Sequence, residues 1–299
     1  IGKDIYKDYG NWKGAAKLAG FANLALDTIQ GFQAAGFANY ANKSSHTTTQ
    51  LAGFANVILD SLTGIQGAGF ANVSSGSVMG AQLAGFANYS QGDVKGTQLA
   101  GFANVAMGEV TGLQASGFIN IARKVKGTQI GFINIADSVQ GASIGFLSII
   151  RHGYNHIEIG GNESFYTNLN IKLGTEKFYN ILSIGATPKK NDLNWGFGYG
   201  VGTVFNISNG LKFNLDASVY HVNENEWFTD KLNLLAKVSP TLSYQFTDKI
   251  GVYGGPTLNA LIQNEDFTAD NILPWSGYQW DDNDTKTNIY LGFSAGIRF

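Results

Sequence analysis

A short motif, Gly-Phe followed by one apolar residue and then Asn, recurs along the first half of the chain. Its glycines are spaced 16 or 17 residues apart, shrinking to 14, at Gly20, Gly36, Gly53, Gly69, Gly85, Gly101, Gly117, Gly131 and, in a decayed ninth unit, Gly145. A fixed period of this length means that one small structural unit is built repeatedly. From about Tyr154 aromatic segments of alternating polarity replace it. We therefore divide the chain into residues 1–14, with room for one strand, the repeat strands of residues 15–150, and C-terminal barrel strands over residues 154–299.

Composition favours tightly packed β structure. The 299 residues include 39 glycines and 13% aromatic residues but only 4 prolines, a balance typical of strands and not of flexible linkers. There is no cysteine, which excludes disulfides, thiolate zinc sites and cysteine nucleophiles. The net charge of -2 gives no basic field for nucleic acid, so no nucleic-acid partner is expected. No apolar run approaches the ~18 residues of a spanning helix.

Each repeat unit reads as a strand. Between Thr97 and Ala106 the odd-numbered residues are mostly small and apolar, whereas the even-numbered residues include Gln98, Phe102 and Asn104. Because side chains alternate between the two faces of a strand, each set would occupy its own face. A three-residue turn at residues 107–109 would pair Ala103 with Leu113 in antiparallel fashion and keep the apolar residues on one face. About thirteen strand residues tilted by ~40° rise roughly 30 Å, the thickness of a bilayer core. This interpretation makes the repeats an antiparallel meander.

A β-solenoid is the rival interpretation of the repeat. It would have 16 residues in each coil, with Phe, Asn and Gln stacked in ladders. Its best support is that successive turns resemble each other, since Gly76, Gly92 and Gly108 each begin a Gly-x-Val turn. In a meander, successive turns lie on opposite sides of the sheet and need not match.

The second half alternates apolar and polar residues over segments of ten or more residues. In the last segment Ile289, Leu291, Phe293, Ala295, Ile297 and Phe299 share one face, opposite Tyr290, Gly292, Ser294, Gly296 and Arg298. Residues 211–219 and 231–242 alternate in the same way. Many long strands with one apolar face are typical of a transmembrane barrel, apolar outside and polar inside. Phe299 is then the end of the closing strand, on the periplasmic side.

Turns and loops agree with that topology. A turn at residues 208–210 predicts that Phe205 faces Phe213 and Ile207 faces Leu211, and a turn at residues 247–249 pairs Tyr244 with Val252. These tight turns alternate with longer polar loops at residues 189–194, 223–230 and 263–287, as in outer-membrane barrels. Pro256 predicts a bulge or bend. Aromatic residues near strand ends suit interfacial girdles: Tyr166, Trp195, Tyr220, Trp227 and Phe246.

We therefore predict an all-β chain that forms a transmembrane antiparallel β-barrel, preferably one barrel of about 16–18 strands including the repeats. The alternative is an eight-stranded C-terminal barrel preceded by a 16-residue-repeat β-solenoid.

The motifs resemble a known group of proteins. The repeat units of the form Gly-x-Gln-Leu-Ala-Gly-Phe-Ala-Asn are similar to those of the surface-repeat family of Gram-negative (Bacteroidota-type) outer-membrane β-barrel proteins. Similar too are the transition to the second half at residues 144–154 and the segments at residues 163–168, 177–181 and 195–203. The resemblance covers nearly the whole chain and implies a location in the cell outer membrane. It implies no activity and no cofactor. The terminal Ile297-Arg-Phe299 also resembles the signal by which barrel precursors are recognised for insertion.

We predict no catalytic, cofactor-binding or metal-binding residue. The glycine string Gly196, Gly198, Gly200 and Gly202 alternates with Phe197, Tyr199 and Val201 on a strand, without the helix that a phosphate loop needs. His152 and His156 are expected to be solvated, and the acidic run at residues 281–284 lacks the spacing of a calcium loop and is expected to be a solvated loop. Inward polar residues are expected to line the lumen: Lys172, Lys212, Asp216, Lys237 and Arg298.

Two functions fit these predictions. The first is a non-enzymatic structural or accessory subunit of an outer-membrane complex, in contact with the lipid bilayer and with other outer-membrane proteins packed on the Gly/Ala-rich repeat face. The second is a passive pore for small solutes, although inward Phe residues would narrow its lumen.

Overall fold

The structure is a computed structural model that describes residues 5–8, 12–188, 193–224, 227–247, 249–264, 277–282 and 285–299. Every element in these ranges is a strand, and none of the described residues forms a helix able to cross a membrane. The chain divides into two compact units, Ile1–Gly153 and Tyr154–Phe299, which we describe in turn.

The first unit is a parallel β-solenoid. Its strands are β1 (Ile5–Asp8), β2 (Trp12–Ala19), β3 (Ala22–Ala35), β4 (Ala38–Ala52), β5 (Ala55–Ile58), β6 (Leu62–Ala68), β7 (Ala71–Ser74), β8 (Val78–Ala84), β9 (Ala87–Ser90), β10 (Val94–Ala100), β11 (Ala103–Ser116), β12 (Ile119–Ile130), β13 (Ile133–Ile144) and β14 (Leu147–Ile150). Each coil pairs in parallel with the coils before and after it, so that Ala103 lies between Ala87 and Ile119.

The predicted antiparallel meander is therefore wrong, and so is the single barrel of 16–18 strands. Ala103 does not pair with Leu113, because both belong to the same coil, on either side of the bend at residues 107–109. The N-terminal segment also belongs to the solenoid sheet, since β1 pairs in parallel with β3.

A sharp bend at each Gly-Phe explains why strand parity misled the prediction. Gln98 and Asn104 are fully buried, yet Phe102 between them is 42% exposed. In a straight strand all three would share a face. The chain instead changes direction at Gly101-Phe102 and passes from one side of the coil to the other, so the amides point inward and the ring points out.

Buried amides hold the coils in register. From Asn23 to Asn120 the Nδ2 of each ladder Asn donates to the Asn Oδ1 of the next coil at 2.8–3.0 Å. From Gln50 to Gln129 the Nε2 of each ladder Gln donates to the Gln Oε1 of the coil before at 2.8–2.9 Å. The same Asn nitrogen also bridges the two sides of the coil, as when Asn88 donates to the Leu99 carbonyl oxygen at 2.7 Å. Buried polar groups need such partners, and an identical side chain stacked above supplies them.

The turns stack as well, which accounts for their resemblance in the sequence. The Ser77 N–H donates to Ser61 Oγ at 3.1 Å, the Asp93 N–H donates to Ser77 Oγ at 3.1 Å, and the Glu109 N–H donates to Asp93 Oδ1 at 2.7 Å. A small polar side chain at this position therefore recurs because it accepts a backbone hydrogen bond from the next coil.

The second unit is one antiparallel sheet closed on itself. Its strands are β15 (His156–Asn162), β16 (Thr167–Thr175), β17 (Phe178–Pro188), β18 (Leu193–Ser208), β19 (Leu211–Glu224), β20 (Asn233–Gln245), β21 (Gly251–Asn264), β22 (Tyr278–Asp282) and β23 (Thr285–Arg298). Seven consecutive pairings run from β15 to β21 and on to β23, and β23 then pairs with β15. β22 forms a hairpin with the first half of β23, beyond the end of β15. The ring has eight strands, as in the alternative prediction.

Most of the predicted turn registers are confirmed. Phe205 faces Phe213 and Tyr244 faces Val252. The pairing of Ile207 with Leu211 is wrong, because the register shifts between Asn206 and Ser208 and leaves Ile207 unpaired in a bulge.

Pro256 causes no β-bulge, so that half of the predicted 'bulge or bend' is wrong. The register of β20 with β21 is the same on both sides of it, from Val238 opposite Leu258 to Leu242 opposite Gly254. Pro256 lies in the stretch between these pairs, and the pairing with β23 continues unbroken through it. A proline lacks the N–H that a ladder requires, so the effect on β20 and β21 is a local gap in pairing.

Candidate functional site

The closed sheet is apolar outside and polar inside. Large aliphatic and aromatic side chains, 36–65% exposed, cover the outer face of its strands: Ile157, Ile159, Ile171, Leu182, Ile184, Phe197, Phe205, Leu215, Val219, Val238, Leu242, Val252, Leu258, Ile289, Leu291, Phe293 and Ile297. The residues that alternate with them are largely polar and buried, including Glu158, Lys172, Asn214, Asn259 and Arg298. A soluble domain has the opposite distribution.

A four-residue ion cluster fills the interior near the tight turns. Glu158 accepts from Arg298 Nε at 2.8 Å and from Lys172 Nζ at 3.0 Å. Lys172 Nζ also donates to Asp216 Oδ2 at 2.7 Å, and the Tyr179 hydroxyl donates to the other oxygen of Asp216. The cluster holds two positive and two negative charges, so the buried charges balance.

Glu158 and Arg298 also mark the seam at which the sheet closes. They are direct register partners on β15 and β23. At the same seam the Ile157 N–H donates to the Phe299 carbonyl oxygen at 3.1 Å, and the Phe299 N–H donates to the Ile157 carbonyl oxygen at 2.8 Å. The predicted closing strand, ending at Phe299, thus pairs with the first strand of the unit.

A second ion pair comes from a loop that folds into the interior. Glu163, between β15 and β16, accepts from Lys237 Nζ at 2.7 Å, from Thr257 Oγ1 at 3.0 Å and from the Phe293 N–H at 2.9 Å. Asn162 shapes this loop, because its Oδ1 accepts the N–H groups of the two residues after Glu163 at 3.0 and 2.8 Å.

The same loop inserts an aromatic plug. Phe165 is fully buried and packs against Tyr220 in a cluster with Val222, Leu235, Leu261 and Tyr290. The glycine string of β18 makes room for such rings: a Cβ on Gly196 would meet Phe165, and one on Gly202 would meet Tyr179. These glycines therefore accommodate interior aromatic side chains.

The interior of the closed sheet also contains a small polar space. A cavity of about 40 Å³ lies among polar residues of both ion clusters, including Glu158, Asp216 and Lys237. Asn168 Oδ1 and Thr241 Oγ1, both buried residues of its wall, have no protein partner within the described part of the chain. A polar space of this size holds one or two water molecules, which would satisfy those oxygens.

The structure brings together most of the predicted lumen residues. Lys172, Asp216 and Arg298 share one cluster, whereas Lys237 belongs to the second. Lys212 lies nearer the surface and pairs with Glu176 at 2.6 Å.

Several interior residues were not predicted, among them Glu158, Glu163 and Phe165. Glu158 alternates with outward isoleucines and could have been found by parity, whereas Glu163 and Phe165 lie in a loop that has no periodicity. Tyr220 is one of the predicted girdle aromatics, but it points inward and is 4% exposed, whereas Trp227 and Phe246 are exposed.

The histidine and aspartate motifs are not gathered into one site. His152 Nδ1 lies 3.1 Å from the Asp137 carbonyl oxygen, while His156 Nδ1 lies 3.3 Å from the Phe299 carbonyl oxygen. Asp281 and Asp282 belong to β22, opposite Lys286 and Thr285, so the predicted solvated loop is wrong at these two positions. Residues 283–284 lie outside the described residues. Within the described ranges no three His, Asp or Glu side chains converge as metal ligands would.

Comparisons with protein-family models, with curated proteins and with solved structures find no match for this chain, so the resemblance to the surface-repeat family stays a prediction.

Proposed function

We propose that the chain is a non-enzymatic structural protein of the bacterial outer membrane, in which the closed sheet of Tyr154–Phe299 spans the bilayer and anchors the solenoid. The observation that carries the proposal is the inverted distribution of side chains, apolar towards the surroundings and charged towards the interior. Strands of 13–16 residues such as β18, β20 and β21 are long enough, at a tilt near ~40°, to cross a hydrocarbon core of ~30 Å.

The filled interior favours an anchor over the alternative of a passive pore. Eight strands enclose a space that side chains can fill, whereas open channels belong to wider barrels. Here two ion clusters and an aromatic plug occupy that space, and the cavity between them is about 40 Å³. The proposal therefore expects no steady single-channel conductance from the purified protein in planar bilayers.

The same crowding supports a non-enzymatic role. Each acidic group of the interior clusters, Glu158, Asp216 and Glu163, already accepts from a cation. The cavity of about 40 Å³ beside them is too small for a substrate larger than water.

A charge placed on the outer face tests the membrane proposal. Leu258 and Val252 point outward from the same strand β21, Leu258 at its middle and Val252 beside a tight turn. Leu258→Arg is expected to lower the unfolding free energy in lipid by about 2–4 kcal/mol, because the guanidinium would lie at the bilayer midplane. Val252→Arg is expected to cost about 0–1 kcal/mol at the interface. Urea unfolding in vesicles measures both, and equal costs for the two variants would contradict a membrane-spanning sheet.

The loops indicate which side of the membrane each end faces. Connections of two residues join β16 to β17 and β18 to β19 at one end of the sheet, whereas connections of eight and thirteen residues join β19 to β20 and β21 to β22 at the other. The five residues between β20 and β21 and the four between β17 and β18 are similar in length. Outer-membrane barrels keep short turns in the periplasm and long loops outside. The end of the sheet at which β15 starts and the two-residue turns lie is therefore proposed to face the periplasm.

Cysteine labelling tests this topology on a background without native cysteine. Asp230→Cys, in the loop between β19 and β20, is expected to react with a membrane-impermeant maleimide on intact cells. Asn209→Cys, in a tight turn, is expected to react only after the outer membrane is permeabilised. Labelling of Asn209→Cys on intact cells would overturn this topology.

A further inference from the structure

The outside of the solenoid carries a continuous apolar surface along its Gly-Phe corners. We name it the apolar band: the Leu-Ala-Gly-Phe-Ala residues, or their equivalents, of successive coils from residue 18 to residue 147. No charged side chain falls at any of these positions. Nine phenylalanines run along it, 39–51% exposed, with neighbouring ring centroids 4.8–5.9 Å apart: Phe21, Phe37, Phe54, Phe70, Phe86, Phe102, Phe118, Phe132 and Phe146.

The folding of the solenoid accounts for only part of this surface. The glycines are required inside the unit, because a Cβ on Gly85 would overlap the carbonyl oxygen of Gly69. Ring stacking between coils likewise covers the faces of each phenylalanine. The outer edges of the rings and the leucines beside them, such as Leu83 and Leu99, gain nothing from coil stacking and remain exposed.

The exposed area is that of a protein interface. If a free Phe side chain presents about 200 Å², nine rings at this exposure leave on the order of 800 Å² uncovered. The largest apolar patch on a typical monomer is about 300–600 Å². Covering the rings on two copies would bury about 1,600 Å², within the ~1,200–2,000 Å² of stable specific interfaces.

The shape of the band favours a second copy of the same chain. The phenylalanine rings form a ridge, and the Leu, Ala and Gly residues that precede them line a parallel groove in two stretches of about 570 and 690 Å³. A two-fold axis parallel to the stack would bring the ridge of each copy into the groove of the other. The corrugations then match, because both have the same coil spacing, and the contact is isologous.

We propose that the apolar band is a homodimer interface, in which two solenoids pack ridge into groove. This inference adds a partner, a second copy of the chain, to the proposed structural role. It rests on the proposed function only for the location of the dimer in the cell, since the contact itself uses only the solenoid.

A lysine in the groove tests the dimer. Leu83→Lys places an ammonium group in the middle of the band, where a partner would have to bury it without a counter-charge. Met79→Lys is the matched control: Met79 lies on the same strand β8, is exposed, and its register partner in the next coil is already Lys95. The mass of the full chain in detergent, measured by light scattering, is expected to be that of a dimer for the parent and for Met79→Lys. Leu83→Lys is expected to raise the dissociation constant at least about tenfold.

A photo-crosslink in cells covers the case in which detergent separates the copies. With p-benzoylphenylalanine in place of Phe86, irradiation is expected to give an adduct of twice the chain mass, lost in the Leu83→Lys background. A monomeric parent that also gives no such adduct, a dimer that Leu83→Lys leaves intact, or an adduct only with lipid or with another protein would overturn the proposal. The membrane proposal fails separately, if the chain stays soluble without detergent whatever its oligomeric state.

Discussion

Gly96→Ala is expected to lower the unfolding free energy of the solenoid by at least about 3 kcal/mol. Gly96 has a φ of +136°, which L side chains rarely adopt, and an added Cβ would overlap the carbonyl oxygen of Gly80 in the coil before. Neither problem is relieved by moving a flexible side chain, because the obstacle is backbone held in register by β8 and β10. Strain of this kind, combined with a steric clash, belongs among the most damaging single substitutions.

The effect is also expected to be local, because a solenoid is held together by contacts between neighbouring coils. Hydrogen exchange followed by mass spectrometry should show lost protection in β8, β10 and β11 first. Lys95→Ala is the control, since Lys95 is exposed and adjacent, and its loss should change stability by no more than about 0.5 kcal/mol. If Gly96→Ala were as stable as Lys95→Ala, the stacked-coil architecture would be wrong.

The repeats show how a sequence pattern can be identified correctly while the topology predicted from it is wrong. The alternation is real on each side of the bend at Gly101-Phe102, around Gln98 and around Asn104. Within either short segment it fits a strand of an antiparallel meander and a strand of a parallel coil equally well. The two differ in what lies beside each residue. Parallel in-register stacking places Asn88 beside Asn104, and their amides hydrogen-bond at 2.9 Å. Recurrence of the same residue every 16 positions, turns included, was therefore the better signal. In a parallel solenoid identical side chains lie beside each other and can hydrogen-bond, whereas neighbouring residues in an antiparallel meander need not be identical.

In the second half, parity was sufficient for much of the interior. It placed Lys172, Asp216 and Arg298 on inward faces, and the structure joins them in one cluster. The alternation of residue types cannot predict that Glu163 and Phe165 point into the interior. Both lie in a loop, which has no period, and the path of the loop depends on the space inside the closed sheet. Closure itself, with β23 beside β15, is a long-range pairing that local pattern does not encode.

Glu158→Gln is expected to have the largest effect among substitutions in the closed sheet. Glu158 is buried and is the shared partner of Lys172 and Arg298. An amide of nearly the same shape would leave two buried cations facing the one carboxylate of Asp216. Breaking a buried ion pair by removing one partner typically costs about 3–5 kcal/mol, because the charge left behind is uncompensated. The loss falls on the β15–β23 seam, so closure of the sheet is expected to weaken first.

Two further variants separate charge balance from mere loss of a contact. Glu176→Gln breaks the pair with Lys212, but both side chains are partly exposed, so the expected cost is below about 1 kcal/mol. Glu158→Gln combined with Lys172→Met restores one cation to one anion and should recover part of the stability, because the two sites are coupled. Urea unfolding in detergent, followed by the fluorescence of Trp195 and the other tryptophans, measures all three variants. If the double variant were no more stable than Glu158→Gln alone, the cost would come from lost packing at the seam, and the balance of buried charge would not be what holds the first and last strands together.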